Sequence, residues 1–328
     1  MQLIIKYIII ISMGLVLFGC ADDIDKESGI YEEWGFRHDR DSSLYVLLGS
    51  NSGDYVAGDN YPDFSSVGCV YHADYTASGV LIDTKWVLTA AHNFITDKTS
   101  PELLPEDLSF RLGSDYNNYT DEILVKNVFY HPAWVKNIDS GDEYGFDIAL
   151  IELQESVQSI TPALYHKDGN ETLDSKIFIS GFGDYEPRFD DEWSKKRAWE
   201  NTLDRLLTNL EAENTFANES EYPIGGLMGF DYDSPDKNAN TLANTDEYLG
   251  AGDSDPTPMD LEGTPVSGDS GGPCFAKIDN QWQVIGVCSH SDIETYGAVA
   301  NYTRVSTHKD WIYDTINTST IAATRMIP

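Results

Sequence analysis

From Val67 onward, the chain consists of short apolar runs separated by polar turns. The first series of runs comprises Val67–Tyr71, Gly79–Ile82, Trp86–Thr89, Leu108–Leu112, Ile123–Tyr130 and Ile148–Leu153. The second series comprises Ser175–Gly181, Thr202–Leu207, Gly272–Phe275, Gln281–Cys288 and Val299–Val305. Many short strands without alternating helices are typical of antiparallel sheets that close into barrels or pack as a sandwich. We therefore predict an all-β fold.

Two later segments depart from this pattern. Near the C-terminus, Trp311, Ile312, Thr315 and Ile316 share one helical face, which predicts a short amphipathic helix before a tail at residues 318–328. Residues 211–261 are acidic and rich in Asn, Asp, Gly and Pro. Because so long a loop is uncommon in a compact domain, we expect an acidic insertion that forms a functional rim or is disordered.

Residues 1–20 have the pattern of an export signal. Lys6 is followed by an apolar run that ends in the small residues Gly19 and Cys20, and the run is too short to span a bilayer comfortably. The ending Leu-Phe-Gly-Cys resembles a bacterial lipobox, in which Cys20 would be lipidated and become the new N-terminus. Residues 21–43, which are polar and acidic, would then form a tether. We expect a lipoprotein of the bacterial envelope, with plain secretion as the alternative.

The composition indicates a globular chain, since 41% of the 328 residues are hydrophobic and 12% are aromatic. The formal net charge is -34 and the pI is ≈ 4.2. This charge argues against nucleic-acid binding, in which Lys and Arg neutralise phosphates, and against electrostatic docking on anionic lipid. We expect a monomer that contacts the membrane only through an anchor at Cys20.

The cysteines do not indicate a disulfide scaffold. With Cys20 set aside, Cys69, Cys274 and Cys288 remain, and an odd number leaves at least one thiol unpaired within the chain. A bridge between Cys274 and Cys288 and buried free thiols both stay open. Residues 231–236 alternate oxygen ligands as calcium loops do, but they lack the glycine and terminal Glu of an EF-hand, so we favour a solvated loop. We expect no cofactor and no metal.

The most informative stretch for chemistry is Gly268-Asp269-Ser270-Gly271-Gly272-Pro273. A serine hydroxyl is a weak nucleophile that needs an adjacent base and a site for the developing oxyanion. Gly268 would let the backbone turn so that the N–H groups of Gly268 and Ser270 converge as an oxyanion hole. A glycine-rich surface turn is the alternative interpretation of these six residues alone.

Two upstream motifs supply partners for this serine. An apolar run ends in Ala90-Ala91-His92, where the small alanines would let the strand end pack tightly and direct the imidazole inward. Asp147 precedes the apolar run Ile148–Leu153, and a buried carboxylate there needs a hydrogen-bond donor such as an imidazole N–H. The chain order His92, Asp147, Ser270 is that of the chymotrypsin version of the Ser-His-Asp triad.

These motifs, together with several others, carry a family resemblance. They are Ser78–Ile82, Trp86–His92, Arg111–Gly113, His131-Pro132, Asp147–Ile151, Ser180–Gly183, Gly268–Pro273 and Asn301–Val305, followed by a helix with Trp311. In this order they resemble the chymotrypsin/trypsin-like serine peptidases, in particular divergent secreted bacterial members, over roughly residues 65–317. The resemblance implies two six-stranded antiparallel β-barrels with the site at their interface. We therefore predict a peptidase domain at residues 44–317, with barrels at about 44–160 and 161–308.

The resemblance also implies roles for individual residues. Ser270 would be the nucleophile, His92 the general base and then acid, and Asp147 the residue that orients His92. Gly268 and Ser270 would supply the oxyanion N–H groups. Ser289 matches a serine beside the triad aspartate. His290 and Ser291 would edge the substrate groove.

The pocket for the residue before the scissile bond maps to Thr264 at its base, with Ser291 and Ala300 on its walls. Thr264 stands where trypsin has the aspartate that attracts Lys or Arg. We therefore expect no trypsin specificity and a preference for a small or apolar side chain, with a preference for glutamate as the alternative.

The chain departs from the family pattern before its first barrel. No Ile-Val-Gly-Gly-like activation sequence is visible before Val67, although in relatives a new N-terminal amine pairs with the aspartate that matches Asp269. Cleavage within residues 29–48, or one of the cations Arg37, His38 and Arg40, could neutralise Asp269 instead. The disulfide beside the histidine motif is also missing, because Ala77 and Asn93 occupy its positions.

We predict a serine endopeptidase that acts on proteins or peptides through an acyl-enzyme. A catalytically silent relative that binds a partner through the same groove is the alternative, although a binding module would need none of His92, Asp147 and Ser270. An esterase is disfavoured, because such enzymes usually carry Gly-x-Ser-x-Gly on an α/β sheet in the order Ser, Asp, His.

Overall fold

The computed structural model describes residues 35–95, 103–136, 145–185, 194–207, 226–246 and 248–325. The predicted signal peptide 1–20 with Cys20, residues 21–34 of the predicted tether, residues 211–225 of the predicted insertion and residues 326–328 of the tail lie outside the described residues.

The first half of the described chain forms a closed antiparallel barrel. Its strands are β1 (Val67–His72), β2 (Tyr75–Asp83), β3 (Trp86–Thr89), β4 (Ser109–Leu112), β5 (Asp121–Tyr130) and β6 (Ala149–Leu153). They pair in the order β1-β2-β3-β6-β5-β4, and β4 pairs with β1 to close the barrel. Each of the six apolar runs predicted for this half corresponds to one of these strands.

The second half forms a seven-stranded antiparallel sheet. Its strands are β7 (Lys176–Gly181), β8 (Arg197–Thr202), β9 (Arg205–Leu206), β10 (Leu227–Asp231), β11 (Pro273–Ile278), β12 (Gln281–Ser291) and β13 (Val299–Arg304). The order is β8-β7-β11-β12-β13-β10-β9. The two edge strands β8 and β9 are consecutive in the chain, so the sheet curls until its edges meet at Leu203 and Asp204.

The all-β, chymotrypsin-like fold class is therefore confirmed, but the second unit is a curled seven-stranded sheet rather than a six-stranded barrel. The predicted strand Thr202–Leu207 is divided by a corner. Leu203 donates its N–H to Ser175 and Asp204 donates to Gly229, so the chain passes from one edge of the sheet to the other. The sequence pattern does not reveal such a corner, because residues 202–207 contain neither Gly nor Pro.

Three strands of the barrel are buried on both faces. On β2, Ala77 and Leu81 face the barrel interior, whereas the alternate residues Val80 and Ile82 belong to the larger core that includes the second sheet. β3 and β6 divide their residues in the same way, as expected for side chains that alternate along a strand. The ends of β3 and β6 are therefore located where the barrel meets the second sheet.

The described helices are α1 (Ser43–Gly49), α2 (Pro132–Lys136) and α3 (Lys309–Arg325). Helix α3 confirms the predicted C-terminal helix, and its Ile312 is completely buried. It extends to Arg325, so residues 318–325, which were predicted as part of the tail, belong to the helix. Helix α1 corresponds to the apolar run Leu44–Leu48 and buries Tyr45 and Leu48. Short 3-10 helices span Phe64–Ser66, Pro105–Asp107, Thr241–Ala243 and Val305–His308.

Residues 35–42, the described part of the predicted tether before α1, are docked on the second half of the chain. Gly35 donates its N–H to the carbonyl of Glu294 and accepts from the N–H of Thr264. Phe36 forms an isolated antiparallel bridge with Gly263 and stacks on the rings of Tyr45 and Tyr185. This segment is therefore part of the folded core.

Cys69, Cys274 and Cys288 are buried free thiols. The sequence left open a bridge between Cys274 and Cys288 or free thiols, and the structure contains the free thiols. Among the described residues, no helix has both the length and the apolar character that crossing a membrane would require.

Candidate active site

A cavity of about 350 Å³ lies at the meeting of the barrel and the second sheet. Its walls are formed by His92, Trp134, Asp147, Pro265, Val266, Ser267, Ser270, Cys288, Ser289, His290, Ser291 and Glu294. The three predicted triad residues, which are separated by up to 178 positions in the sequence (270 minus 92), therefore line one cavity.

His92 and Asp147 form the best-defined contact of the site. His92 follows β3 and Asp147 precedes β6, and these strands pair so that Thr89 lies opposite Ala149. His92 Nδ1 lies 2.6 Å from Asp147 Oδ2, and the His92 backbone N–H donates to Asp147 Oδ1 at 2.9 Å. Two bonds from one residue to both carboxylate oxygens fix the orientation of the imidazole.

Asp147 is fully buried, and its charge is stabilised locally. Ser289 Oγ donates a hydrogen bond of 2.7 Å to Asp147 Oδ2. Burial opposes ionisation, but the charge and hydrogen bonds of His92 and the hydroxyl of Ser289 outweigh it and hold the pKa of Asp147 below its usual value. An ionised carboxylate beside an imidazole stabilises the protonated form that the imidazole adopts when it acts as a general base.

Ser270 lies in a turn whose shape requires glycine. Gly268 and Gly271 have φ values of 95° and 82°, which L side chains rarely adopt. A Cβ on Gly271 would also lie only 2.1 Å from Thr89 Oγ1. The Ser270 carbonyl accepts hydrogen bonds from the Ser78 N–H at 2.9 Å and from Asn93 Nδ2 at 3.1 Å, so both sides of the turn are tied to the first barrel.

Around this turn the backbone donors divide into two sets. The N–H groups of Asp269, Gly271 and Gly272 donate to carbonyls of the protein. Within the described part of the chain, the N–H groups of Gly268 and Ser270 have no protein acceptor. These two are the N–H groups that the sequence predicts for the oxyanion hole.

Within the same described part, the Ser270 hydroxyl also forms no hydrogen bond, to His92 or to any other group. In unliganded active sites the hydrogen bonds used in catalysis are often long and shorten when the substrate binds. The structure thus places Ser270 and an oriented imidazole on one cavity, and the turn that holds Ser270 carries two N–H groups without an acceptor in the described part of the chain.

Asp269 points away from the cavity into the core and is 1% exposed. Its Oδ1 accepts from the Gly183 N–H at 2.8 Å, and its Oδ2 accepts from the Tyr185 hydroxyl at 2.6 Å and the Val266 N–H at 3.0 Å. Burial raises the pKa of Asp269 to about 6, against the opposing effect of these three hydrogen bonds and of the Arg197 charge.

Two cations that the sequence suggested for Asp269 bind other groups. Arg37 pairs with Asp39 and donates to the Met259 carbonyl, whereas Arg40 pairs with Asp260. The third, His38, contacts the hydroxyl of Tyr296. Among the described residues, no salt bridge includes Asp269.

The predicted substrate-binding residues fall into two groups. Ser289, His290 and Ser291 line the cavity. Thr264 and Ala300 are completely buried and do not line it, and the Thr264 hydroxyl has no hydrogen-bond partner among the described residues. The pocket base predicted at Thr264 is therefore not part of this cavity wall.

Sequence reasoning missed several residues that shape the site. Trp134 and Glu294 both line the cavity, and Asn93, which was noted only as a lost disulfide position, binds the Ser270 carbonyl and Thr89 Oγ1. Trp134 could have been suspected from its place two residues after His131-Pro132. Glu294 lies in a polar stretch with no distinguishing pattern.

The calcium-like stretch at residues 231–236 is partly folded into the core rather than solvated. Asp231 is 1% and Asp233 is 5% exposed. Asp231 Oδ2 accepts from the Leu242 N–H at 2.8 Å. Within the described ranges, no group of three or more His, Cys, Asp or Glu has an arrangement that could hold a metal ion.

Comparison with known proteins adds independent findings. The family model described as Trypsin matches residues 55–208. The chain is 27% identical to complement C1s-1 subcomponent of Mus musculus over 254 residues, which are 74% of this chain and 32% of that protein. It is 25% identical to chymotrypsin-like elastase family member 1 of Macaca fascicularis over 257 residues, 77% of this chain and 82% of that protein.

A third relative, kallikrein 1-related peptidase b16 of Mus musculus, is 26% identical over 151 residues, 44% of this chain and 54% of that protein. The matched regions thus span about a third of complement C1s-1 and about half of the kallikrein. Taken with the barrel and the curled sheet, the matches support the resemblance of the chain to the chymotrypsin/trypsin-like serine peptidases. The family-model match includes His92 and Asp147 and ends before Ser270.

Proposed function

We propose that this protein is a serine endopeptidase that hydrolyses peptide bonds through an acyl-enzyme on Ser270. The observation that carries the proposal is a cavity lined by Ser270 and by His92, whose imidazole is oriented by Asp147. In the turn that holds Ser270, the N–H groups of Gly268 and Ser270 have no acceptor among the described residues. The similarity to peptidases over three quarters of the chain supports the same reaction class.

In the proposed mechanism, His92 removes the proton from the Ser270 hydroxyl as Oγ attacks the carbonyl carbon of the scissile bond. Asp147 holds the imidazole in the required tautomer and stabilises its charged form. The N–H groups of Gly268 and Ser270 donate to the oxyanion. His92 then gives its proton to the leaving amine, and a water molecule activated by the same imidazole hydrolyses the ester.

For specificity, we propose a small or apolar residue before the scissile bond and no trypsin-like preference. Thr264 carries no charge that would select Lys or Arg, and Pro265 and Val266 give the cavity wall apolar character. The carboxylate of Glu294 on this wall disfavours the alternative of a glutamate substrate, since two carboxylates would repel each other.

For location, we propose export through the signal at residues 1–20, with lipid anchoring at Cys20. The support is the apolar run that ends in Gly19-Cys20 and the acidic segment that follows it.

The first prediction tests the nucleophile. Ser270→Ala, in the protein lacking residues 1–20, should abolish covalent labelling by a fluorophosphonate, because the probe reacts only with an activated serine hydroxyl. Labelling is measured by intact mass and peptide mapping. Ser159→Ala, which removes an exposed serine far from His92 in the sequence, serves as the control and should label like the unmodified protein.

Two results would contradict the proposal. Retained labelling of the Ser270→Ala protein would show that another residue is the nucleophile. A folded unmodified protein that is never labelled, whatever its N-terminus, would favour the silent binding relative.

A further inference from the structure

Asp269, which directly precedes Ser270, accepts hydrogen bonds from groups that were not predicted from the sequence. Relatives neutralise the matching aspartate with a new N-terminal amine, but here the Asp269 carboxylate receives the hydroxyl of Tyr185 and the N–H groups of Gly183 and Val266. In the described part of the chain, these three donors satisfy the buried carboxylate without a cation in direct contact.

These bonds determine the shape of the oxyanion turn. Asp269 both accepts from the Val266 N–H through its side chain and donates its own N–H to the Val266 carbonyl, which closes the turn around Gly268. The carboxylate also ties the turn to Gly183. Loss of a donor to Asp269 would therefore loosen the backbone from which the Gly268 N–H projects.

The space around Asp269 is built for this carboxylate. A Cβ on Gly181 or on Gly183 would lie 2.2 Å from one of its oxygens, so both positions need glycine. Tyr185 is 3% exposed, and the Arg197 guanidinium lies 5.2 Å from the centre of its ring. The hydroxyl of Tyr185 thus donates to Asp269 within a buried, tightly packed site.

The ring of Tyr185 is itself held by the segment before α1. Phe36 stacks on Tyr185 with ring centres 3.9 Å apart and planes inclined by 9°. Tyr45 of α1 also stacks on Phe36, with ring centres 3.9 Å apart. The backbone of Gly35 is fixed by hydrogen bonds to Glu294 and Thr264, and Glu294 lines the cavity.

We propose that Tyr185, packed against the uncleaved Gly35–Phe36 segment, is the positioning residue of the oxyanion hole, so that the chain is competent without cleavage within residues 35–48. The proposal rests on the proposed function, because it concerns the same Ser270 site. It identifies the hydroxyl of Tyr185 as the group that takes the place of an activation amine at Asp269. Cleavage that removes Phe36 would then reduce activity instead of creating it.

The test uses Tyr185→Phe, which removes only the hydroxyl, with Tyr45→Phe as the matched control. Tyr45 is equally buried and also stacks on Phe36, but its hydroxyl donates to the Glu262 carbonyl at 3.0 Å. Tyr185→Phe loses one buried hydrogen bond, whereas Tyr45→Phe loses two, because the Tyr45 hydroxyl also accepts from the Arg37 N–H at 3.3 Å. We expect the rate of fluorophosphonate labelling and kcat for p-nitrophenyl acetate to fall about ten- to hundredfold in Tyr185→Phe alone, with KM little changed.

A second measurement addresses cleavage. The labelled unmodified protein is subjected to N-terminal sequencing, and we expect its N-terminus to lie before Gly35. Phe36→Ala in the uncut chain should slow labelling in the same direction as Tyr185→Phe, because the Tyr185 ring loses its stacking partner.

The outcomes separate this inference from the proposed function. No labelling of any form would contradict the proposed function itself. Normal labelling of the unmodified protein with equal rates in Tyr185→Phe and Tyr45→Phe would overturn the role of Tyr185. Labelling found only on chains that begin after Phe36 would overturn competence without cleavage, and the peptidase assignment would stand.

Discussion

At the scale of single residues, the site depends on side chains next to the predicted triad. Ser289 donates to the same Asp147 oxygen that contacts His92, and Asn93 donates to the carbonyl of Ser270. Asn93 occupies a position where relatives have a disulfide cysteine, and its amide joins the histidine loop to the serine turn through hydrogen bonds instead. The candidate triad residues are therefore positioned by polar contacts across the two halves of the chain.

Asp147→Asn should lower kcat/KM by roughly 10³- to 10⁴-fold, because an amide can donate to His92 Nδ1 and would hold the imidazole in the wrong tautomer. The measurement is hydrolysis of p-nitrophenyl acetate together with circular dichroism to verify the fold. Asp74→Asn is the control, since the Asp74 side chain is 92% exposed. A variant of Asp147 that keeps full activity would contradict the orienting role.

At the scale of elements, β10 shows that part of the predicted acidic insertion belongs to the second sheet. It pairs with β13 over Leu227–Asp231 and brings carboxylates into the core. Asp204, Asp233 and Glu262 are each at least 95% buried near one another. Burial, reinforced by neighbouring carboxylates, raises the pKa of Asp204 to about 8, of Asp233 to about 9 and of Glu262 to about 8.

This cluster predicts a loss of stability in alkaline solution. Because these folded-state pKa values lie above those of the unfolded chain, the folded protein binds more protons near pH 7, and its free energy of unfolding must fall as the pH rises from 7 to 9. Asp233→Asn should reduce that fall by about 2 kcal/mol, because the amide does not titrate and the raised pKa of Asp233 no longer contributes.

Urea denaturation at pH 7, 8 and 9 measures this effect. The control is Asp253→Asn, an exposed aspartate of the same acidic stretch, which should leave the pH dependence unchanged. A free energy of unfolding that stays constant from pH 7 to 9 in the unmodified protein would show that the cluster does not hold its protons as proposed.

At the scale of the whole molecule, the negative net charge of the chain affects how charged peptides approach the cavity. The chain has 55 Asp and Glu against 21 Lys and Arg. A field of this sign attracts cationic peptides towards the cavity and repels anionic ones, and salt screens it over a distance of about 10 Å at 0.1 M.

We therefore expect kcat/KM for a peptide substrate flanked by Lys residues to fall several-fold between about 0.05 and 0.5 M NaCl, because screening slows its association. The same peptide with Gln in place of Lys is the control and should change little. Equal salt dependence of the two peptides would show that the net charge of the protein does not steer its substrates.

Local patterns were sufficient for the barrel strands, for helix α3 and for the candidate triad. The apolar run that precedes His92 is short and contains Trp, Val and Thr, which favour strands, so its strand could be predicted without tertiary information. Helix α1 and β10 were not predicted as such. Leu44–Leu48 is too short to distinguish a helix from a strand, and Leu227–Asp231 lies within an acidic stretch where packing against β13 outweighs composition.

What the sequence by itself determined is therefore the class of fold and the residue types of the proposed site, because both follow from short contiguous motifs. What only the tertiary structure decided are contacts between distant segments: the hydroxyl of Tyr185 on Asp269, Phe36 on the ring of Tyr185, and Glu294 on the cavity wall. No local pattern encodes these contacts, since each depends on how the curled sheet brings remote loops together around one buried carboxylate.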